Sequence, residues 1–167
     1  MIVRKTEEKD MDAVCAIYED ASAYFRKNGI PQWQNGYPNR ESLAADMAKE
    51  SSYVLEDNGT VIATACLLAE RDPNYSYIEN GQWLDDEDYV VIHRIAIASA
   101  YKGNGSAGLL VEEAEKIAYE KGYHSLRADT HDLNLSMQRF LTKHGFVPCG
   151  RVYVKDHAPR IGFQKKL

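Results

Sequence analysis

Between Val90 and Ala118 the chain reads VVIHRIAIASAYKGNGSAGLLVEEAEKIA: an apolar run, a polar turn, a glycine-rich loop, then an amphipathic repeat. That order builds an anion site. The first turn of a helix carries unpaired N–H groups and the positive end of the helix dipole. Gly103, Gly105 and Ala107 or Gly108 have little or no side chain to keep a phosphate from the backbone. Gly103, Gly105 and Gly108 also fit G-x-G-x-x-G, with Asp129 downstream at about the distance of a ribose-binding acid. Two features oppose a nicotinamide or flavin site. Ala98–Lys102 separates the apolar run from the glycines, and one strand-helix-strand unit is evident where a dinucleotide domain repeats it.

The same stretch resembles motif A of the GCN5-related N-acetyltransferase (GNAT) superfamily, whose pyrophosphate loop reads Q/R-x-x-G-x-G/A. Lys102, Gly105 and Ala107 take those three positions. Lysine keeps a cation near the phosphates but lacks the planar fork of arginine. Asn134, Met137, Phe140, Gly145 and Phe146 match motif B, N-x-x-A-x-x-[LF]-Y-x-x-x-G-F, in part. Met137 replaces its small residue, and Leu141 stands where many members have a tyrosine. The resemblance spans most of the chain and is strongest from Val90 to Phe146. It implies an α/β (α+β) fold: a mixed, mostly antiparallel central sheet flanked by helices, with two parallel central strands splayed to admit a thioester arm. It implies an acetyl-CoA-dependent N-acetyltransferase of the bacterial small-molecule type (EC 2.3.1), transferring directly to a primary amine of a small molecule or peptide. Lys102, Gly103, Asn104, Gly105, Ser106 and Ala107 would hold the coenzyme A pyrophosphate. The Ile95 and Ile97 backbone would pair with pantetheine, and Asn134 would contact the cofactor. Asn134 is equally placed to cap the helix that follows it.

Such a reaction needs a base, because an alkylamine of pKa ~10 is mostly protonated at neutral pH. His93, just ahead of the expected thioester-binding backbone, is the first candidate, set against a hydrogen-bonded core histidine. His131, in the DTHDLN turn, is the second, and it serves equally to hold that turn with Asp129 and Asp132. Glu79 is a third, otherwise a solvated carboxylate. Leu141 removes the usual proton donor to sulfur; Tyr153, Tyr101 or water stand in, although a thiol of pKa ~8.5 also leaves unassisted. Arg94, on a covered strand, requires an acidic partner. Cys149, with no positioned base, reads as a buried inert thiol. Trp33, Gln34 and Tyr37 in Ile30–Asn39, with Tyr77 in Tyr75–Trp83, would wall an acceptor pocket or pack as a lid on the first helix. A non-catalytic acyl-CoA sensor is the main alternative, motivated by Leu141; a dinucleotide enzyme is the other.

Elements that position these residues follow from periodicity. Strands are expected at Ile2–Lys5, Tyr53–Glu56, Val61–Leu68, Tyr89–Ile97, Ser125–Asp129, Val147–Val154 and Ile161–Lys166. Asn58-Gly59 signals a hairpin. A first helix, capped by Thr6, buries Met11, Val14, Cys15, Tyr18, Ala21 and Phe25 and closes at Asn28-Gly29. Others are expected at Glu41–Glu50, Gly105–Lys121 and Asn134–His144, the last two stopped by Gly122 and Gly145.

At 167 residues, with 44% apolar and 27% charged content, the chain reads as one acetyltransferase domain, 1–167, with a real core. Three widely spaced cysteines suit free thiols in the cytoplasm better than disulfides or a metal site. A net charge of −5 argues against nucleic-acid partners, and no apolar run is long enough for a membrane span. The acidic run Asp85–Asp88 is suited to attract cations but reads most simply as solvated. A monomer or homodimer is expected.

Overall fold

β1 (Ile2–Lys5) pairs antiparallel with β2 (Ser52–Asp57), and Asn58-Gly59 turns β2 back into β3 (Thr60–Leu68). Both turn residues have positive φ, 48° and 84°, the backbone that a two-residue hairpin needs. The computed structural model describes all residues, 1–167. Its strands are hydrogen-bonded in the order β1-β2-β3-β4-β5-β7-β6, where β4 is Val90–Ile97, β5 Ser125–Thr130, β6 Val147–Val154 and β7 Ala158–Lys166. Pairs β1–β2, β2–β3, β5–β7 and β6–β7 are antiparallel, whereas β4 and β5 run parallel through Val90↔Leu126 and Val91↔Arg127. This is the mixed, mostly antiparallel α/β fold expected. No helix is long and apolar enough to cross a membrane.

These elements form two compact units, Met1–Leu67 with His93–Glu113, and Leu68–Ile92 with Ala114–Leu167. In the first, α1 (Met11–Lys27) and α2 (Arg40–Ala48) bury Val14, Tyr18 and Leu43 against Val54 of β2, while Ile17 and Ala21 pack on Ala96 of β4. Thr6 does not cap the first helix. Its hydroxyl is hydrogen-bonded to that of Ser52 at 2.7 Å, and Glu7 and Asp10 form a capping box around a 3-10 turn before α1. Arg4, bonded to the Asp10 carboxylate at 2.7 and 3.0 Å, holds its pKa below the ordinary value. Asn39 caps α2, accepting from Ser42 N–H at 2.9 Å while Ser42 Oγ accepts from Asn39 N–H.

In the second unit the long connection between β3 and β4 is pinned by polar contacts rather than by regular structure. Tyr75 OH donates to Asp129 at 2.6 Å, Trp83 Nε1–H to the Tyr75 carbonyl at 2.9 Å, and Leu84 N–H to Gln164 at 2.8 Å. Arg127, buried, has its guanidinium 4.2 Å from both the Trp83 and the Tyr89 rings. Gly81 lies so close to β6 that a Cβ there would stand 1.9 Å from the Cys149 carbonyl oxygen. The acidic run is largely exposed, as expected, and draws cations to it: Asp86 and Asp88 pair with Arg71, and Asp85 and Glu87 with Lys166.

Candidate active site

Arg94, in the middle of β4, has φ +52°, a left-handed backbone that a non-glycine residue adopts only when its surroundings impose it. Its guanidinium is held there by Asp46 of α2. Arg94 Nε and Nη2 donate to its two carboxylate oxygens at 2.7 and 2.6 Å, and Nη1 donates to Tyr37 OH. The acidic partner required for Arg94 is therefore Asp46, in a bidentate pair with both side chains at least 85% buried. The kink falls between His93 and Ile95, both partly buried.

After β4, Ala98 N–H donates to the Ile62 carbonyl at 2.8 Å and a 3-10 turn, Ser99–Tyr101, delivers the chain to Lys102. The glycine loop follows. Gly103 and Gly105 have φ near +80°, and a Cβ on either would meet nothing within 4 Å. Asn104 Oδ1 accepts from both the Ser106 amide (2.9 Å) and the Ser106 hydroxyl (2.6 Å), closing the turn. Both Ser106 donors are thus spent inside the loop, and that residue is buried. The amides of Gly103, Asn104, Gly105 and Ala107 have no hydrogen-bond partner in the protein. Helix α3 (Gly108–Lys121) starts here, three residues later than expected, because Gly105 at φ +81° cannot belong to a right-handed helix. Four unpaired amides, no obstructing side chain and a helix N-terminus suit a pyrophosphate. Lys102 Nζ lies 4.0 Å over the Tyr24 ring.

Residues 30–40 fold against α1. Ser22 Oγ–H donates to the Trp33 carbonyl at 2.7 Å, and Gln34 Nε2 donates to the Ser22 and Gln32 carbonyls at 3.0 and 2.9 Å. Trp33 packs edge-on against Tyr18 and Phe25, so the lid contact expected of it is present. It also lines a cleft of about 540 Å³ with Tyr18, Glu19, Ser22, Arg26 and Tyr37. Tyr37 thus joins the cleft wall to Arg94 of β4.

In the second unit Tyr77 and Tyr153 meet on Glu79. Tyr77 OH donates to one carboxylate oxygen at 2.8 Å and Tyr153 OH to the other. The Tyr153 and Tyr77 bonds lower the Glu79 pKa, and the carboxylate in turn raises both phenols. Glu79, the third base candidate, is the hub of this solvent-facing cluster. Asn134 caps α4 (Leu135–Lys143), accepting from Met137 N–H at 3.1 Å. Leu141, at the tyrosine position, is 1% exposed and part of the core. Burial raises the pKa of Cys149, as an inert thiol requires. Asp129 is bonded to Tyr75 and lies 3.8 Å from Arg160, which leaves it ill-suited to hold a ribose.

His131 Nδ1 accepts from Leu133 N–H at 3.0 Å, so its neutral form carries the proton on Nε2. Burial, then the Arg160 and Arg151 cations, push its pKa below the ordinary value. The unfolded chain, with a pKa near ~6.5, therefore binds the proton more readily. The stability His131 contributes is full above that value and is lost as pH falls toward the folded pKa. Between pH 7 and 5 the melting temperature should fall more steeply for the wild type than for His131→Asn, whose side-chain oxygen accepts from the same amide without titrating. Parallel curves would refute this.

The structure places Trp33, Tyr37, His93, Ile95, Ile97 and the 102–107 loop in the first unit, and Tyr77, His131, Asn134 and Tyr153 in the second. Sequence reading missed Asp46, Asp20 and Tyr24, whose contacts bridge 48 to 79 residues and leave no local signal.

A family model described as acetyltransferase (GNAT) family matches residues 14–146. A solved GNAT-family acetyltransferase from Streptococcus agalactiae is 30% identical, with a TM-score of 0.88 over 99% of this chain and 95% of that one. A ribosomal-protein-alanine N-acetyltransferase from Brucella melitensis (22% identity, TM-score 0.71, all of both chains) shares the fold. So does a NatC complex solved with Gag peptide and CoA (15% identity, TM-score 0.70, 99% of this chain and 98% of that chain). No curated protein matches the sequence significantly.

Proposed function

The chain belongs to the acetyltransferase (GNAT) family, whose members use acetyl-CoA, and on that premise we propose that it transfers an acetyl group directly to a primary amine of a small molecule or peptide. The observation that carries this reading is the glycine loop, with its four unpaired amides opening into α3. Acetyl-CoA supplies a thioester carbon, to which the amine nitrogen bonds as the C–S bond breaks and sulfur leaves to take up a proton.

Gly103, Asn104, Gly105 and Ala107 would hold the pyrophosphate through their amides, with Lys102 beside them and Ser106 shaping the turn. Ile95 and Ile97 offer backbone groups along β4, beyond the kink at Arg94, where an amide aimed at developing oxyanion charge would act. Asn134 is the residue that the family pattern ties to the cofactor, in addition to its cap. Trp33 and Tyr37 wall the acceptor cleft, while an acceptor role for Tyr77 rests on its place in the aromatic 75–83 segment alone. His93 is the base that takes the amine proton. His131 comes second, because its neutral Nδ1 is engaged by Leu133. Tyr153 stands nearer the role of proton donor than Leu141, although its own proton is directed at Glu79.

His93→Gln should lower kcat/KM by about 100-fold while leaving the CoA Kd unchanged. A kcat/KM within about twofold of the wild type would dismiss His93 as the base. Calorimetry with CoA and thiol release over a panel of amines tests the function itself. No CoA binding would sink it. The buried Leu141 favours one alternative, an acyl-CoA sensor, which predicts binding without turnover across the whole panel.

A further inference from the structure

Helix α1 presents three faces, set by its 100° per residue. Val14, Ile17, Tyr18, Ala21 and Phe25 are buried, and Glu19, Ser22 and Arg26 line the cleft. Asp20 and Tyr24, one turn apart, form the third, and they hold the chain on either side of the 3-10 turn that leads into the glycine loop. Asp20 Oδ2 accepts from the Ser99 amide at 2.9 Å and the Ser99 hydroxyl at 2.6 Å. The turn cannot cap itself: its N-cap residue is Ala98, which has no side-chain acceptor. At the far end the Tyr24 ring lies under Lys102 Nζ. Beyond Lys102 the loop has one side-chain anchor of its own, Asn104, before α3 begins.

We infer that Asp20 and Tyr24 are positioning residues for acetyl-CoA, acting through Ser99 and Lys102 to preset the loop whose amides take the pyrophosphate. The inference rests on the acetyl-CoA reading of that loop. A glycine-rich segment that is ordered before binding avoids the conformational entropy of ordering on binding. The ring covers one side of the Lys102 ammonium and leaves N–H donors for phosphate, so the two contacts are compatible. Neither residue touches the acceptor cleft, so the effect should fall on the donor alone.

Calorimetry of the full chain with CoA tests this. Asp20→Ala should raise the Kd about tenfold, with Asp20→Asn restoring part of the loss because its oxygen still accepts from the Ser99 amide. Tyr24→Leu should raise it about threefold and Tyr24→Phe should not. In a Lys102→Met background, Tyr24→Leu should have no further effect. Melting curves report whether each variant folds; should Asp20→Ala fail to, the partly exposed Tyr24 decides. An unchanged or tighter Kd in the folded variants overturns the inference. A wild type that does not bind CoA at all removes the reading beneath it, which is a different result.

Discussion

Asp46→Ala should destabilise the protein by about 3–5 kcal/mol, read by chemical denaturation, and lower its melting temperature by about 10 °C. The substitution strips a buried guanidinium of its counter-ion. Burial, the largest single influence, would lower the Arg94 pKa, but the Asp46 hydrogen bonds together with the Cys66, Tyr37 and Asp46 charges outweigh it and the net shift is upward, so Arg94 keeps its charge. Tyr37 and the Cys66 thiol, both neutral, would remain in place of a two-point carboxylate. The pair also holds the φ of +52° at Arg94, a conformation costing about 1–2 kcal/mol by itself. Relaxing it would swing the backbone between His93 and Ile95 and lower kcat together with stability. The control is Asp46→Ala combined with Arg94→Met. Removing both charges should recover part of the stability, since much of the single-variant loss comes from the unpaired guanidinium. A single-variant loss under ~1 kcal/mol, or a double variant worse than Asp46→Ala alone, would show that the pair does not hold β4 in this way.

What could be read in advance follows the range of the interactions. The glycine loop is written in contiguous residues: apolar strand, polar turn, small residues, amphipathic helix. The structure keeps that order and moves only the start of α3, since Gly105 adopts a left-handed φ. The Asn58-Gly59 hairpin is equally local, as are the helix stops at Gly122 and Gly145, where chain reversal needs positive φ. Arg94 is an intermediate case. Its need for an acid follows from its place on a covered strand, but nothing in its neighbourhood names Asp46. Thr6 was misjudged as a cap because its hydroxyl is drawn to Ser52, a partner supplied by strand pairing. Glu79 and the 85–88 run stay at the surface, but charge counting along the chain cannot see the tyrosines, Arg71 and Lys166 that folding brings to them. The 102–107 loop could be read alone, whereas Asp20 and Tyr24, which fix its approach, had to be found in space.

Gly105→Glu should abolish CoA binding while leaving the fold intact. The backbone at Gly105, φ +81°, costs an L-residue about 1 kcal/mol, and the space its Cβ would enter is empty, so no clash adds to that strain. The effect on binding is far larger. A carboxylate about 5 Å from a phosphate, at an effective dielectric near ~20, opposes it by about 3 kcal/mol, and the pyrophosphate brings two. A rise in Kd of at least about 100-fold follows, before the bulk of the side chain is considered. Gly105→Ala and Gly105→Lys separate the causes. Alanine carries the strain alone and should weaken CoA several-fold, while lysine carries strain and bulk with the opposite charge and should fall between alanine and glutamate. If lysine and glutamate weaken CoA equally, bulk rather than charge governs the site, and an anion does not lie against this amide. If all three variants bind CoA like the wild type, the pyrophosphate is held elsewhere, and the unpaired amides of Gly103, Asn104, Gly105 and Ala107 serve some other anion.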